Sequence, residues 1–247
     1  MKFALEHNLK SGSGALTAGE AAIGKAVMHL TGTYQEQGPD TALNMKATGK
    51  SMPVDELGSA LPALGIVLPA GTKLQGGGVS LDLAISGPSD KLVISGPIRM
   101  AGTKLAGFDL ASKLSAIPGL SGRQTGDLTI QNLSATARVA PEGTQANAID
   151  FNIASIGALR GAGTISPAGA LDFQMTATLS GAPGGAVTKK VGTDIAGEGV
   201  PFAIQGTTSD PKFVPDVKSI AGNVVKSKVG SAMSEKAGLA KLGVRRK

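Results

Sequence analysis

The stretch "LDFQMTATLSG", residues 171–181, alternates between apolar and polar side chains over nearly ten residues. Its apolar positions are Leu171, Phe173, Met175, Ala177 and Leu179, and Asp, Gln and Thr stand between them. Successive side chains of a β-strand point to opposite faces, so a period of two predicts a strand with one apolar and one polar face. The function of such a chain depends on what this apolar face contacts.

The same alternation recurs in segments spread over most of the chain, at residues 26–30, 43–47, 81–85, 149–153 and 200–204. The chain has 36 glycines and 13 prolines in 247 residues, which is typical of many short strands joined by turns. We therefore expect a mainly β fold: an elongated, curved antiparallel sheet forming an open groove, with a few short helices and a C-terminal amphipathic helix.

Turn residues and one change of phase refine this prediction. "SGPSDK" at 86–91 and "APEGTQ" at 140–145 are typical of turns, and "SPAGA" at 166–170 predicts a hairpin whose second strand is the opening stretch. Between Ile130 and Leu133 the apolar phase shifts by one residue, which predicts a β-bulge.

Helical patterns are few. Apolar residues three or four apart predict a short helix near 53–64, with Ser51 as its cap, and a second near 109–117. The best helical pattern starts at Pro215. These patterns divide the chain into a β-sheet region, residues 1–212, and an amphipathic helix with a basic tail, residues 213–247.

Positive charge is concentrated in that tail. Residues 211–247 hold nine lysines and arginines against two acidic residues, whereas residues 1–210 hold fifteen basic and sixteen acidic ones. The body has no basic stripe with interleaved aromatic residues, so we expect no nucleic-acid partner. The tail either contacts anionic lipid head groups or is simply a solvated C-terminus.

Residues suited to catalysis are scarce. The chain has no cysteine and only two histidines, His7 and His29, so we expect no metal site and no cofactor. "GEAAIGKA" at 19–26 has the spacing of a phosphate-binding loop, but it ends in Ala26 where Ser or Thr is required. We predict no catalytic residues and a protein that is not an enzyme. The longest charge-free stretch in the first half of the chain, about Leu57 to Thr72, is shorter than the roughly 20 residues of a spanning helix, and prolines interrupt it.

Four stretches together resemble the C-terminal region of the AsmA family of outer-membrane biogenesis and lipid-transport proteins. They are "LPALGIVLPAGTKLQGGGVSLDLAISGP" (61–88), "LAGFDLASKLSAI" (105–117), "GALRGAGTISPAGALDFQMTATLSG" (157–181) and "GVPFAIQGTTSDPKFVPDVKSI" (199–220). The match covers roughly residues 40–225.

The resemblance implies a periplasmic protein attached to the inner membrane by an N-terminal helix, which this sequence lacks, so that we interpret the chain as a fragment. It implies a groove whose apolar face shields phospholipid acyl chains during transport between membranes. The lipid-facing candidates are then Phe151, Ile153, Leu171, Phe173, Met175, Leu179, Phe202 and Ile204.

Two interpretations stay open at this point. In a closed sandwich the apolar face would pack against a second sheet, and in a groove part of it would contact lipid. Lipid transport is therefore one hypothesis, and a structural module that pairs with other β-sheet protein through exposed strand edges is the other.

Overall fold

The computed structural model describes residues 2–58, 68–69, 71–109, 113, 127–154, 156–179 and 199–216. Within these ranges the chain forms strands and one short helix, α1 (Val54–Leu57). The strands are β1 (Lys2–Asn8), β2 (Ser13–Ile23), β3 (Ala26–Gln37), β4 (Asp40–Pro53), β5 (Lys73–Gln75), β6 (Gly78–Pro88), β7 (Val93–Ala106), β8 (Leu128–Ala140), β9 (Gly143–Ile153), β10 (Gly157–Ile165), β11 (Leu171–Leu179), β12 (Val200–Gly206) and β13 (Pro211–Pro215).

All of these strands belong to one 13-stranded sheet. Its spatial order follows the chain from β1 to β13, except that the short β5 pairs with the end of β7 instead of entering the path. Every pairing is antiparallel, and the sheet is not closed, so β1 and β13 are its two edges. The prediction of a mainly β fold with one open antiparallel sheet is confirmed, and no second sheet of described residues covers it.

The turn and bulge predictions are also confirmed. Residues 166–170 join β10 to β11. The nine residues of β10 pair with the nine residues of β11 in unbroken register, with Gly157 opposite Leu179 and Ile165 opposite Leu171. The register of β8 against β9 shifts between Ile130 and Asn132, where the apolar phase changes in the sequence. Gly102 lies beside this point on β7 with φ of 64°, a left-handed conformation that glycine adopts without strain.

The prediction that Ser51 caps the first helix is wrong. Ser51 is still part of β4, and α1 begins at Val54 with Pro53 in the capping position and no side-chain cap. The carboxylate of Asp55, in the first turn, instead accepts the backbone N–H of Gly76 at 3.0 and 3.1 Å from its two oxygens. It therefore ties α1 to the chain that returns into β6. Most of the predicted helix at 109–117 and nearly all of the C-terminal helix and tail lie outside the described residues.

Two clusters of buried side chains form the core, both on the same face of the sheet. The smaller one lies under α1 and contains Ala26, Met52, Val54 and Val79. The larger one spans β7 to β12, and its most buried members are Ile153, Ala177 and Phe202. Leu74 of β5 and Met100 of β7 pack against both clusters, so the core is continuous across the sheet. The last strand, β13, begins at Pro211 and ends at Pro215, so it extends past residue 212, the predicted end of the β-sheet region.

Candidate functional site: an apolar face of the sheet

One row of directly paired residues crosses ten strands on the apolar face of the sheet. We call it the open row: Leu5, Leu16, Gly32, Met45, Ile85, Ile94, Val139, Thr144, Ile165 and Leu171. None of its members is charged. Leu5 is 51% exposed and the others are half-buried. With strands about 4.8 Å apart, nine spacings give an apolar strip about 43 Å long.

A second row on the same face is packed more tightly. We call it the core row: Met52, Val79, Met100, Leu133, Phe151, Leu159, Ala177 and Val200, paired in this order from β4 to β12. Met52, Leu159, Ala177 and Val200 are each less than 5% exposed. The apolar face therefore has a buried part beside the strand ends that carry α1, and a more exposed part along the open row.

Glycines let large side chains lie flat on the apolar face. A Cβ at Gly163 would overlap the ring of Phe173, and one at Gly161 would overlap the sulfur of Met175. Each of these glycines is the register partner of the residue it accommodates. The same arrangement recurs in β3 and β4, where Gly32 faces Met45. The side chain of one strand therefore covers the backbone of the next, and the face has low relief.

Charged side chains lie on the opposite face of the sheet, where they form exposed ion pairs. Arg160 Nε lies 3.0 Å from Asp150 Oδ2 across β9 and β10, and Lys46 Nζ lies 3.1 Å from Asp82 Oδ1 across β4 and β6. Burial of charge without a partner is costly, and these pairs leave their charges in solvent, away from the open row and the core row. The sheet is thus amphipathic over most of its width.

Two described residues between β7 and β8, Phe108 and Lys113, contact other parts of the sheet. Phe108 packs against the larger cluster, and Lys113 Nζ donates to Asp210 Oδ1 at 2.8 Å, in the turn between β12 and β13. Four strands of the sheet lie between β7 and β12. The hydrogen bond from Lys113 and its positive charge hold the pKa of Asp210 below the ordinary value of 3.8. At the base of the connection, hydrogen bonds from Lys104 and from the backbone of Gly107 likewise lower the pKa of Asp127.

The structure places the described lipid-facing candidates on this one face, but in two different environments. Ile153, Met175 and Phe202 are at most 6% exposed and belong to the packed core. Phe151, Leu171, Phe173 and Ile204 are half-buried at the edge of the larger cluster or along the open row. The side chain of Leu179 lies outside the described part of the chain.

Sequence reasoning missed the N-terminal half of the open row. The alternation at 43–47 and 81–85 predicts that Met45 and Ile85 lie on strands, but only the register shows that they stand side by side with Ile94 and continue the row of Leu171. Alternation in the sequence cannot predict this row, because it indicates the face on which a residue lies and not which residue of the neighbouring strand it is paired with.

Comparison with known proteins finds no match to this chain among family models, curated proteins or solved structures. Among the described residues, no helix is long and apolar enough to cross a membrane. In the same part of the chain no group of three or more His, Asp or Glu residues is arranged to hold a metal ion.

Proposed function

We propose that this protein handles lipid without covalent chemistry, shielding phospholipid acyl chains on the apolar face of its sheet for transfer between membranes. The observation that carries the proposal is the open row, an uncharged strip that crosses ten strands while staying partly exposed. Its length of about 43 Å, at about 4.8 Å per strand, exceeds the roughly 30 Å hydrocarbon core of a bilayer.

The shape of the face also favours acyl chains over a compact ligand. Pockets for small molecules combine an enclosed volume with a few converging polar groups. Here Thr144 supplies the single hydroxyl of the open row, and glycines such as Gly32 and Gly163 keep the surface low. Long flexible chains are held on such a surface by many weak contacts, without a fixed pose.

The cellular setting rests on the resemblance to the AsmA family. On that basis we propose a role in outer-membrane biogenesis, with the protein in the periplasm and attached to the inner membrane. A structural module that pairs with other β-sheet protein through its edges is the alternative, and the exposed apolar side chains of the edge strand β1 favour it.

Photo-crosslinking tests the lipid path. A benzophenone side chain replaces Ile94 in the open row or Ser95, the next residue on the opposite face, and the protein is irradiated with vesicles of phosphatidylethanolamine and phosphatidylglycerol carrying a labelled acyl chain. We expect lipid adducts at Ile94 and few at Ser95. A second pair, Phe173 and Gln174, repeats the comparison on β11, where Gln174 is exposed. Equal labelling of both faces, or none at all, would remove the physical basis of the proposal.

A further inference from the structure

The edge strand β1 exposes its large apolar side chains more than any other described strand does. Phe3 is 70% exposed and Leu5 is 51% exposed, although their register partners Gly19 and Leu16 are half-buried. Among the described strands β1 has one neighbour, β2. A strand edge of this kind is a template for pairing with another strand.

The backbone of β1 has free hydrogen-bonding groups on its outer side. The carbonyl of Asn8 accepts the N–H of Gly12, and the carbonyl of Ala4 accepts the Thr17 hydroxyl at 3.3 Å, so even-numbered residues of β1 face β2. Because inward and outward groups alternate along an antiparallel strand, Phe3, Leu5 and His7 turn their N–H and C=O groups outward. None of them is proline.

The opposite edge of the sheet is built differently. The N–H of Asp216, just after β13, is donated to Pro201 of β12, so the outward positions of β13 are Pro211, Phe213 and Pro215. Proline has no N–H, and only Phe213 has an outward donor. Prolines on an edge strand prevent pairing with further strands. The two edges therefore differ, and only β1 is suited to extension.

We propose that β1 pairs with β1 of a second copy of this chain, antiparallel and centred on Ala4. In this register Phe3 stands opposite Leu5 of the second copy on the apolar face, and Lys2 stands opposite Glu6 on the polar face. Both pairs occur twice because the interface is two-fold symmetric. Phe3 and Leu5 are also the outward-facing residues, so they form the hydrogen-bonded pairs, and Ala4 faces itself across the axis.

This self-complementarity selects a second copy over other partners. Neither Lys2 nor Glu6 forms an ion pair with another described residue of its own chain, and opposite charges facing each other across strands are favourable. The two-fold axis stands perpendicular to the sheet, so both apolar faces lie on the same side. Leu5 then meets Phe3, whose own row continues through Gly19, Leu30 and Ala47, and the apolar strip extends from one copy into the other.

A single cysteine tests the register directly. The chain has no cysteine of its own, so Ala4→Cys introduces the only thiol. A non-hydrogen-bonded antiparallel pair has Cα atoms about 4.5 Å apart, which lies within the range of about 4.4–6.8 Å for disulfides. We expect Ala4→Cys to form a covalent dimer on mild oxidation without lipid. Val214→Cys, exposed on β13, is the matched control and should stay monomeric.

Charge-reversal variants distinguish this specific pairing from a nonspecific contact. Lys2→Glu or Glu6→Lys places like charges opposite each other twice, and we expect each to lower the dimer fraction in light scattering at least tenfold. The double variant restores opposite charges and should restore the dimer. All four residues of the pairing are solvent-exposed, so at a protein concentration at which every variant is monomeric the circular dichroism melting curves should coincide. A monomeric mass for the unmodified full chain at every concentration, failure of the double variant, or equal crosslinking at Val214→Cys would overturn the proposal, whatever the outcome of the lipid experiment.

Discussion

At the scale of single residues, the apolar face depends on glycines that leave room for their neighbours. An alanine at Gly163 would place its Cβ against both the Phe173 ring and the backbone oxygen of Asp172. We expect Gly163→Ala to lower the free energy of unfolding by about 1–3 kcal/mol, the usual cost of overpacking. Urea denaturation followed by circular dichroism measures this change.

The matched control is Gly58→Ala. Gly58 has an ordinary helical conformation, and its Cβ would meet only Asp55 O at 3.7 Å, so this variant should be neutral or slightly stabilising. In a Phe173→Ala background the cost of Gly163→Ala should shrink, because the ring is gone. An equal cost in both backgrounds would mean that the ring does not occupy the space above Gly163.

The residue scale is also where sequence reasoning was least complete. The alternation of Leu171, Phe173 and Met175 predicted their face correctly, because a strand has a period of two. The glycines of β10 were part of the quoted hairpin, but nothing in the sequence assigned them to Phe173 and Met175, since that depends on register. Ser51 was misjudged because β4 continues past it with φ of 45°, a local irregularity that no pattern indicates.

At the scale of elements, Lys113, between β7 and β8, is joined to the turn between β12 and β13 by an ion pair that depends on pH. The hydrogen bond from Lys113 and its charge lower the pKa of Asp210 from its ordinary value of 3.8. A lowered pKa in the folded state means that the contribution of this group to stability is complete above the ordinary value and is lost as pH falls through the lowered one. We therefore expect the Lys113–Asp210 contact to be released only below about pH 3.8, the ordinary value.

Binding of an apolar dye reports this release. In the unmodified protein, anilinonaphthalene sulfonate fluorescence should rise as pH falls through that window, while the far-ultraviolet strand signal persists. Asp210→Ala should already give the higher fluorescence at neutral pH. Asp172→Ala removes an exposed carboxylate from the polar face of β11 and serves as control. Identical titrations of the two variants would show that Asp210 does not hold the connection in place.

The order of the strands was more predictable from the sequence than the contact between Lys113 and the β12–β13 turn. Short strands joined by Gly and Pro turns favour sequential antiparallel pairing, and β1 to β13 follow it with the single exception of β5. The bulge at Ile130 was visible because a register shift changes the apolar phase. The contact of Lys113 with Asp210, 97 residues apart in the chain, has no such local signal.

At the scale of the whole molecule, the sheet has one unbroken apolar strip and two unlike edges. Its β13 edge is limited by Pro211 and Pro215, whereas its β1 edge exposes Phe3 and Leu5. The open row reaches the β1 edge at Leu5 and ends at Leu171 of β11, two strands before the β13 edge. If lipid moves along the open row, the row must be continuous, and a single charge in its middle should divide it.

Ile94 and Ser95 give the means to test this. Their pairing partners on β6 are Ile85 and Ala84, so Ile94→Asp places a carboxylate on the open row, and Ser95→Asp places one on the polar face of the same strand. Burying part of a charge among apolar residues is costly for the protein and for an adjacent acyl chain. We expect Ile94→Asp to reduce phospholipid transfer between donor and acceptor vesicles at least tenfold, with Ser95→Asp unchanged.

Crosslinkers at the two ends of the open row locate the block. With lipid supplied by vesicles tethered near one edge of the sheet, adducts near the supplied end of the row, at Leu16 or at Leu171, should persist in Ile94→Asp, and adducts near the far end should disappear. A urea titration of each variant confirms that the fold is retained, because Ile94 is only half-buried. Adducts that persist at both ends would mean that lipid enters the face from solvent at many points. The apolar face would then be a binding surface, and transport along its length would be excluded.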